Sequence, residues 1–110
     1  MIDLGDDMEV CSKLLLRGTI KDNPGYVKGG GETRCVFEMM VVTKEKIGET
    51  GERLSAVRFR VITDPSIVDK CKEVAHREAR VTVAGTLIDV QNNVIRIKAT
   101  SVAAERLVTA

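Results

Sequence analysis

The sequence predicts an all-β fold, in which five strands close into a barrel and one short helix lies between the third and fourth strands. Three observations predict it. Apolar and polar residues alternate along five segments, which is the period of half-buried strands. One further segment has the 3.6-residue period of an amphipathic helix. Glycines interrupt the first and fourth strands, and such glycines often mark a bulge or the bend of a barrel.

The first three strands are predicted at residues 13–20, 34–46 and 54–63. Alternation assigns their inward faces to Leu14, Leu16 and Ile20, then Cys35, Phe37, Met39 and Val41, then Val57, Phe59 and Val61. Residues 22–31, DNPGYVKGGG, and residues 47–53 are rich in turn formers. The former segment lacks the spacing of a phosphate-binding loop and no helix follows it, so a flexible connector is predicted instead of a nucleotide loop.

Asp64 and Pro65 mark a helix start, because aspartate suits the N-cap and proline the first helical position. An apolar stripe of about three helical turns follows, formed by Ile67, Val68, Cys71, Val74 and Ala75. The last two strands are predicted at residues 80–88 and 94–102, joined by a hairpin tip at 91–93. This order is that of the OB fold, a five-stranded Greek-key barrel. An open α+β sheet is the alternative, and Gly18 and Gly85 within strands favour the barrel.

The whole-chain composition bounds the function classes. The 110 residues suffice for one domain, with 44% hydrophobic and 30% charged residues. We expect an acidic arm at 1–12, an OB domain at 13–102 and a tail at 103–110. No apolar run approaches the roughly 20 residues of a membrane span, and the acidic N-terminus is unlike a signal peptide. The expected location is therefore cytoplasmic, associated with the nucleoid.

Catalytic and metal chemistry find little support in the residue pattern. Cys11, Cys35 and Cys71 are widely spaced and His76 is the single histidine, so no metal site and no cofactor are predicted. Buried, inert thiols are the plain interpretation. His76 has no nucleophile at a meaningful spacing, and the carboxylates form no evident acid–base couple, so no enzymatic activity is expected.

The segment from Lys13 to Val102 resembles the bacterial single-stranded DNA-binding protein family and its relative, the primosomal replication protein PriB. The resemblance rests on KLLLRGTI with its strand glycine, on Pro24 followed by the Gly29–Gly31 run, on RCVF at 34–37 and on VAGTL at 83–87. It implies an OB fold, a homodimer or homotetramer, and binding of single-stranded DNA without chemistry. Arg58 takes the place of the family's stacking tryptophan. The chain ends in ERLVTA where the family has an acidic tail, which favours a PriB-like accessory or a mobile-element variant.

The candidate nucleic-acid site follows from the outward face of the second and third strands, where OB barrels hold nucleic acid. Arginine can pair with phosphate and stack on bases, so a basic stripe there partly replaces missing aromatic residues. Glu38 lies within this stripe and opposes phosphate. Tyr26 and Lys28 in the first loop and Lys46 beside the second extend the site, and the fifth strand adds two more basic residues. The predicted residues are Tyr26, Lys28, Arg34, Lys44, Lys46, Arg58, Arg60, Arg96 and Lys98.

Two hypotheses of function remain. The first is an oligomeric module for single-stranded DNA in replication, recombination or repair, without strong sequence specificity. Its subunit interface is predicted on the first strand at Lys13, Leu15 and Arg17, where strands can pair across a two-fold axis. The second is an OB subunit or adaptor that binds protein and little nucleic acid. A net charge of +1 and 3% aromatic residues agree with that reading. RNA as the ligand is a further alternative.

Overall fold

The computed structural model describes residues 13–105, which form six strands and one helix. The strands are β1 (Lys13–Ile20), β2 (Gly25–Gly29), β3 (Glu32–Ile47), β4 (Gly51–Thr63), β5 (Arg80–Gln91) and β6 (Val94–Ala104). A 3₁₀ turn (Pro65–Ile67) leads into helix α1 (Val68–Val74). The predicted arm at 1–12 and residues 106–110 of the predicted tail lie outside the described residues. Within the described part, no helix is long and apolar enough to cross a membrane.

The sheet closes on itself through β1. Its strand order is β1-β5-β6-β4-β3-β2, and β1 also pairs with β3 where Thr19 meets Met40 and Ile20 meets Met39. β4 and β6 run parallel, whereas the other pairs are antiparallel. Five strands therefore form a ring, with the helix between β4 and β5, and the predicted barrel architecture is confirmed.

Residues 22–31 are not a flexible connector, and this prediction is wrong. They contain β2, which pairs with β3 from Gly25 opposite Val36 to Gly29 opposite Glu32. The hairpin reverses at Gly30 and Gly31, whose φ angles of 61° and 79° suit glycine. Every residue of β2 is exposed. A strand without a buried face has no apolar alternation, so its period is invisible in the sequence.

The predicted loop at 47–53 is also shorter than expected. β3 extends to Ile47 and β4 begins at Gly51, and these two residues pair with each other. The reversal occupies only residues 48–50, with Gly48 at a φ of 69°. β3 and β4 therefore form a long two-stranded ribbon that continues past the barrel. Between β5 and β6, the predicted hairpin tip is confirmed, with Asn92 and Asn93 both at positive φ.

The core lies inside the ring and beneath the helix. The alternation predicted for β1, β3 and β4 is confirmed, because Ile20, Phe37, Met39 and Val61 are almost completely buried. The predicted helical stripe is also confirmed, although α1 has about two turns and not three. Its start follows the expected chemistry, since the Asp64 carboxylate accepts a hydrogen bond from the Ser66 backbone N–H at 3.0 Å.

Two strand glycines stand where the barrel bends. A side chain at Gly18 would place its Cβ 2.5 Å from the Met40 carbonyl oxygen, at the point where β1 crosses onto β3. Gly85 lies against the backbone of Lys98, and the β5–β6 register shifts between Ala84 and Gly85. The backbones approach too closely there for any side chain, as the sequence predicts from glycines inside strands.

Candidate nucleic-acid interface

One side of the barrel carries the outward side chains of β3, β4 and β6, which we call the outer face. The strand register arranges them in rows: Val36 beside Ile62 and Lys98, Glu38 beside Arg60 and Arg96, and Met40 beside Arg58 and Val94. Arg34 lies on the same face at the start of β3. The β3–β4 and β4–β6 pairings thus place predicted site residues from three strands side by side: Arg34, Arg58, Arg60, Arg96 and Lys98.

Carboxylates already pair with each arginine of the outer face. Arg60 Nη2 lies 3.1 Å from Glu38 Oε1, and Arg58 Nε lies 3.9 Å from Glu38 Oε2. Arg96 pairs with Asp89 at 3.1 Å, and Arg34 pairs with Glu32 at 3.4 Å. Neither of these two carboxylates was among the predicted site residues. These pairs are partly exposed, so each contributes little to stability. The predicted basic stripe is therefore a mixed row of both charges.

The β3–β4 ribbon continues the outer face beyond the barrel. Lys44 lies opposite Leu54, and Lys46 lies opposite Glu52. Neither lysine has an ion-pair partner among the described residues, unlike the arginines of the outer face. Val42 and Leu54 are also more than 60% exposed on this side. The ribbon thus presents unpaired positive charge beside apolar side chains.

Tyr26 and Lys28 belong to the opposite side of the sheet. They face Cys35 and Thr33 across the β2–β3 pair, and Cys35 belongs to the core. Both line a cleft of about 570 Å³ between this hairpin and the helix, with Lys72 Nζ 5.7 Å from the centre of the Tyr26 ring. Lys72 was not among the predicted site residues. The sequence places it on the polar face of the helix, but only the structure shows that it lies beside Tyr26. The predicted site residues are therefore divided between two surfaces.

Beneath this cleft, a small polar cluster joins the helix to the barrel. Thr63 Oγ1 accepts a hydrogen bond from the Cys35 backbone N–H at 2.9 Å. A hydrogen bond between the two thiols lowers the pKa of Cys35 and raises the pKa of Cys71. Burial, together with the neighbouring Cys35, raises the pKa of Tyr26. Cys35 and Cys71 are free, buried thiols; Cys11 lies outside the described residues.

The predicted subunit-interface residues lie on an incompletely paired strand. β1 pairs with β5 from Lys13 to Thr19, but with β3 only at Thr19 and Ile20. Among residues 13–105, no strand pairs with the other edge of β1 along its first residues. Leu15 on this stretch is 71% exposed, and its neighbour across the β1–β5 pair is the small residue Ala84.

No model of a known protein family matches this chain, and no curated protein matches it. Solved structures do resemble it. A single-stranded DNA-binding protein of Plasmodium falciparum, in complex with single-stranded DNA, has a TM-score of 0.73 at 18% identity, covering 86% of this chain and 95% of that one. The small single-stranded DNA-binding protein of Streptomyces coelicolor has a TM-score of 0.68 at 15% identity, covering 84% and 93%.

The second single-stranded DNA-binding protein of Mycobacterium smegmatis, SSBb, has a TM-score of 0.55 at 15% identity, covering 86% of this chain and 88% of that one. At these identities the likeness concerns the fold. The PriB-like branch suggested by the sequence stays a prediction. The chain therefore has the OB-type fold found in SSB-type single-stranded DNA-binding proteins.

Proposed function

We propose that this protein binds single-stranded DNA along its outer face and ribbon, without chemistry and without strong sequence specificity, in replication, recombination or repair. One observation carries the proposal: the pairing of β3 with β4 and of β4 with β6 places basic and apolar side chains side by side on one continuous surface. The same fold holds single-stranded DNA in the Plasmodium protein. Homo-oligomerisation through β1 and recruitment of replication or recombination proteins belong to the same proposal.

The arrangement suggests how a strand would be held. Lys44, Lys46 and Lys98 lack ion-pair partners among the described residues, so they are the most available for phosphates. To contact the DNA, each outer-face arginine must either leave its carboxylate for a phosphate or stack on a base while it stays paired with that carboxylate. Apolar side chains such as Met40 and Ile62 offer packing surface in place of aromatic rings. We expect modest, salt-sensitive affinity, since each phosphate contact on a single strand contributes about −0.7 to the slope of log K against log salt.

The test is fluorescence anisotropy with labelled dT30 at several salt concentrations. About four contacts correspond to a slope of roughly −3. The double variant Arg58→Ala/Arg60→Ala is expected to bind less tightly. Its matched control is Arg53→Ala/Arg80→Ala, which also removes two arginines paired with carboxylates, at 3.0 Å and 2.9 Å, but away from the outer face. The control is expected to bind dT30 more tightly than the outer-face variant does.

Equal binding by the two double variants would contradict the assignment of the outer face. Absence of dT30 binding at low salt would favour the alternative function, an OB subunit that binds protein. Near-zero net charge and the carboxylate on every outer-face arginine are the observations that favour this alternative. A parallel titration with single-stranded RNA of the same length distinguishes the nucleic acids.

A further inference from the structure

Glu38 is the carboxylate at the centre of the outer face. Its two oxygens face Arg60 at 3.1 Å and Arg58 at 3.9 Å, and its side chain is 26% exposed. The backbone of Glu38 is held as well: its N–H donates to Asp22 Oδ1 at 3.0 Å, and its carbonyl accepts from the Lys21 N–H at 2.9 Å. Ion pairs therefore hold the side chain of Glu38, and hydrogen bonds hold its backbone.

The charges around Glu38 direct phosphates away from it. Glu38 and Asp89 offset most of the charge of the three arginines beside them. The cations without a carboxylate partner in the described part lie toward the two ends of the surface: Lys98 at one end, and Lys44 and Lys46 on the ribbon. Lys44 is six residues from Glu38, which is about 20 Å along a strand. We expect phosphates to contact these ends, which leaves the surface around Glu38 to the bases of a bound strand.

The chemistry of a carboxylate then distinguishes the bases. An ionised carboxylate only accepts hydrogen bonds, at about four lone-pair sites, and the two arginines leave some of these sites open. Cytosine, adenine and guanine carry amino groups that donate to such an oxygen, whereas the single N3–H donor of thymine lies between two carbonyl oxygens that the carboxylate repels. In a single strand these Watson–Crick edges are free.

We propose that Glu38 is a base-selecting residue, which favours strands of amino-bearing bases, such as cytosine, over thymine. The inference rests on the proposed binding of single-stranded DNA to the outer face. It predicts a base preference that the basic residues alone would not produce, because contacts to phosphate carry no sequence information.

The test compares dC30 with dT30 at pH 8, where cytosine is neutral, by anisotropy at one low salt concentration. The unmodified protein is expected to bind dC30 at least about fivefold more tightly, the lower limit for one good base contact. Glu38→Gln keeps the side-chain shape but adds an amide donor that suits thymine. In this variant the dC30/dT30 affinity ratio is expected to fall to about one or below.

The matched control is Glu45→Gln. Glu45 lies on the same strand and pairs with one arginine, Arg53, at 3.0 Å, but on the other side of the ribbon. Both variants gain one unit of positive charge, so a general tightening of binding appears in both. Only Glu38→Gln is expected to change the ratio. Glu38→Asp, which keeps the charge but withdraws the carboxylate, is expected to lower the ratio while leaving the salt slope unchanged.

The outcomes separate this inference from the proposed function. Equal affinity of the unmodified protein for dC30 and dT30, or the same ratio in Glu38→Gln and Glu45→Gln, would overturn base selection by Glu38 and leave DNA binding intact. Failure of the unmodified protein to bind either oligomer would overturn the proposed function itself. Circular dichroism of each variant establishes folding. If Glu38→Gln is unfolded, the dC30/dT30 affinity ratio of Glu38→Asp tests the proposal instead.

Discussion

At the scale of single residues, Gly85 shows how a local feature serves the whole barrel. It lies at the β5–β6 register shift, and a Cβ built there would be 2.9 Å from the Ala99 Cα and closer still to the Lys98 carbonyl. Both obstacles are backbone atoms, which cannot rotate aside as a side chain can. The sequence indicated a bend at this glycine, but only the structure shows which strand approaches it.

Gly85→Ala is expected to lower the free energy of unfolding by about 1–3 kcal/mol, because the added methyl group forces the β5 and β6 backbones apart. Urea denaturation measures the change. Gly29→Ala is the control, since nothing lies within 4 Å of the position and its φ is ordinary; a change below about 0.5 kcal/mol is expected there. Similar losses at both positions would show that close approach at Gly85 is unimportant.

At the scale of secondary-structure elements, the β3–β4 ribbon is the part of the outer face best suited to phosphates. Its lysines are free of ion pairs within the described residues, whereas the outer-face arginines of the barrel are paired. The ribbon has only two strands here, and its exposed large apolar residues are Val42 and Ile47 on β3 and Leu54 on β4. Such a ribbon has little packing to stabilise it alone.

Lys44→Ala/Lys46→Ala is expected to make the salt slope for dT30 shallower by about 1.4, since two phosphate contacts at about 0.7 each are lost. The control is Lys21→Ala/Lys70→Ala, which removes equal charge from two lysines in ion pairs at 3.7 Å and 3.9 Å elsewhere. That control is expected to leave the slope within experimental error. An unchanged slope in the ribbon variant would exclude these lysines from the binding path.

At the scale of the whole molecule, the open edge of β1 is where a second copy would complete the sheet. Along residues 13–17, the N–H and C=O groups on this edge have no strand partner within the described part of the chain. They can pair with the same strand of another copy across a two-fold axis. Leu15, 71% exposed in the single chain, would then be covered. Oligomerisation would also bring two outer faces into one particle and increase the number of phosphates contacted.

Light scattering is expected to give two or four times the chain mass of 12.0 kDa. Leu15→Glu is expected to yield the single chain, because a charge would be buried at the two-fold axis. Leu54→Glu, at a leucine on the ribbon that is 63% exposed, is expected to retain the assembly. A monomeric unmodified protein, or dissociation by both substitutions, would contradict an interface at β1.

The sequence by itself determined the class of fold, because strand and helix periods, the Asp64–Pro65 helix start and the strand glycines are all local signals. It also identified the basic residues of the outer strands. Tertiary structure decided the rest: β2 is a fully exposed strand without a period, and Tyr26 and Lys28 fall on the opposite side of the sheet from Arg58 and Arg60. Ion pairs such as Arg60 with Glu38 join residues 22 positions apart. Such pairs depend on the register between strands, which no single segment encodes.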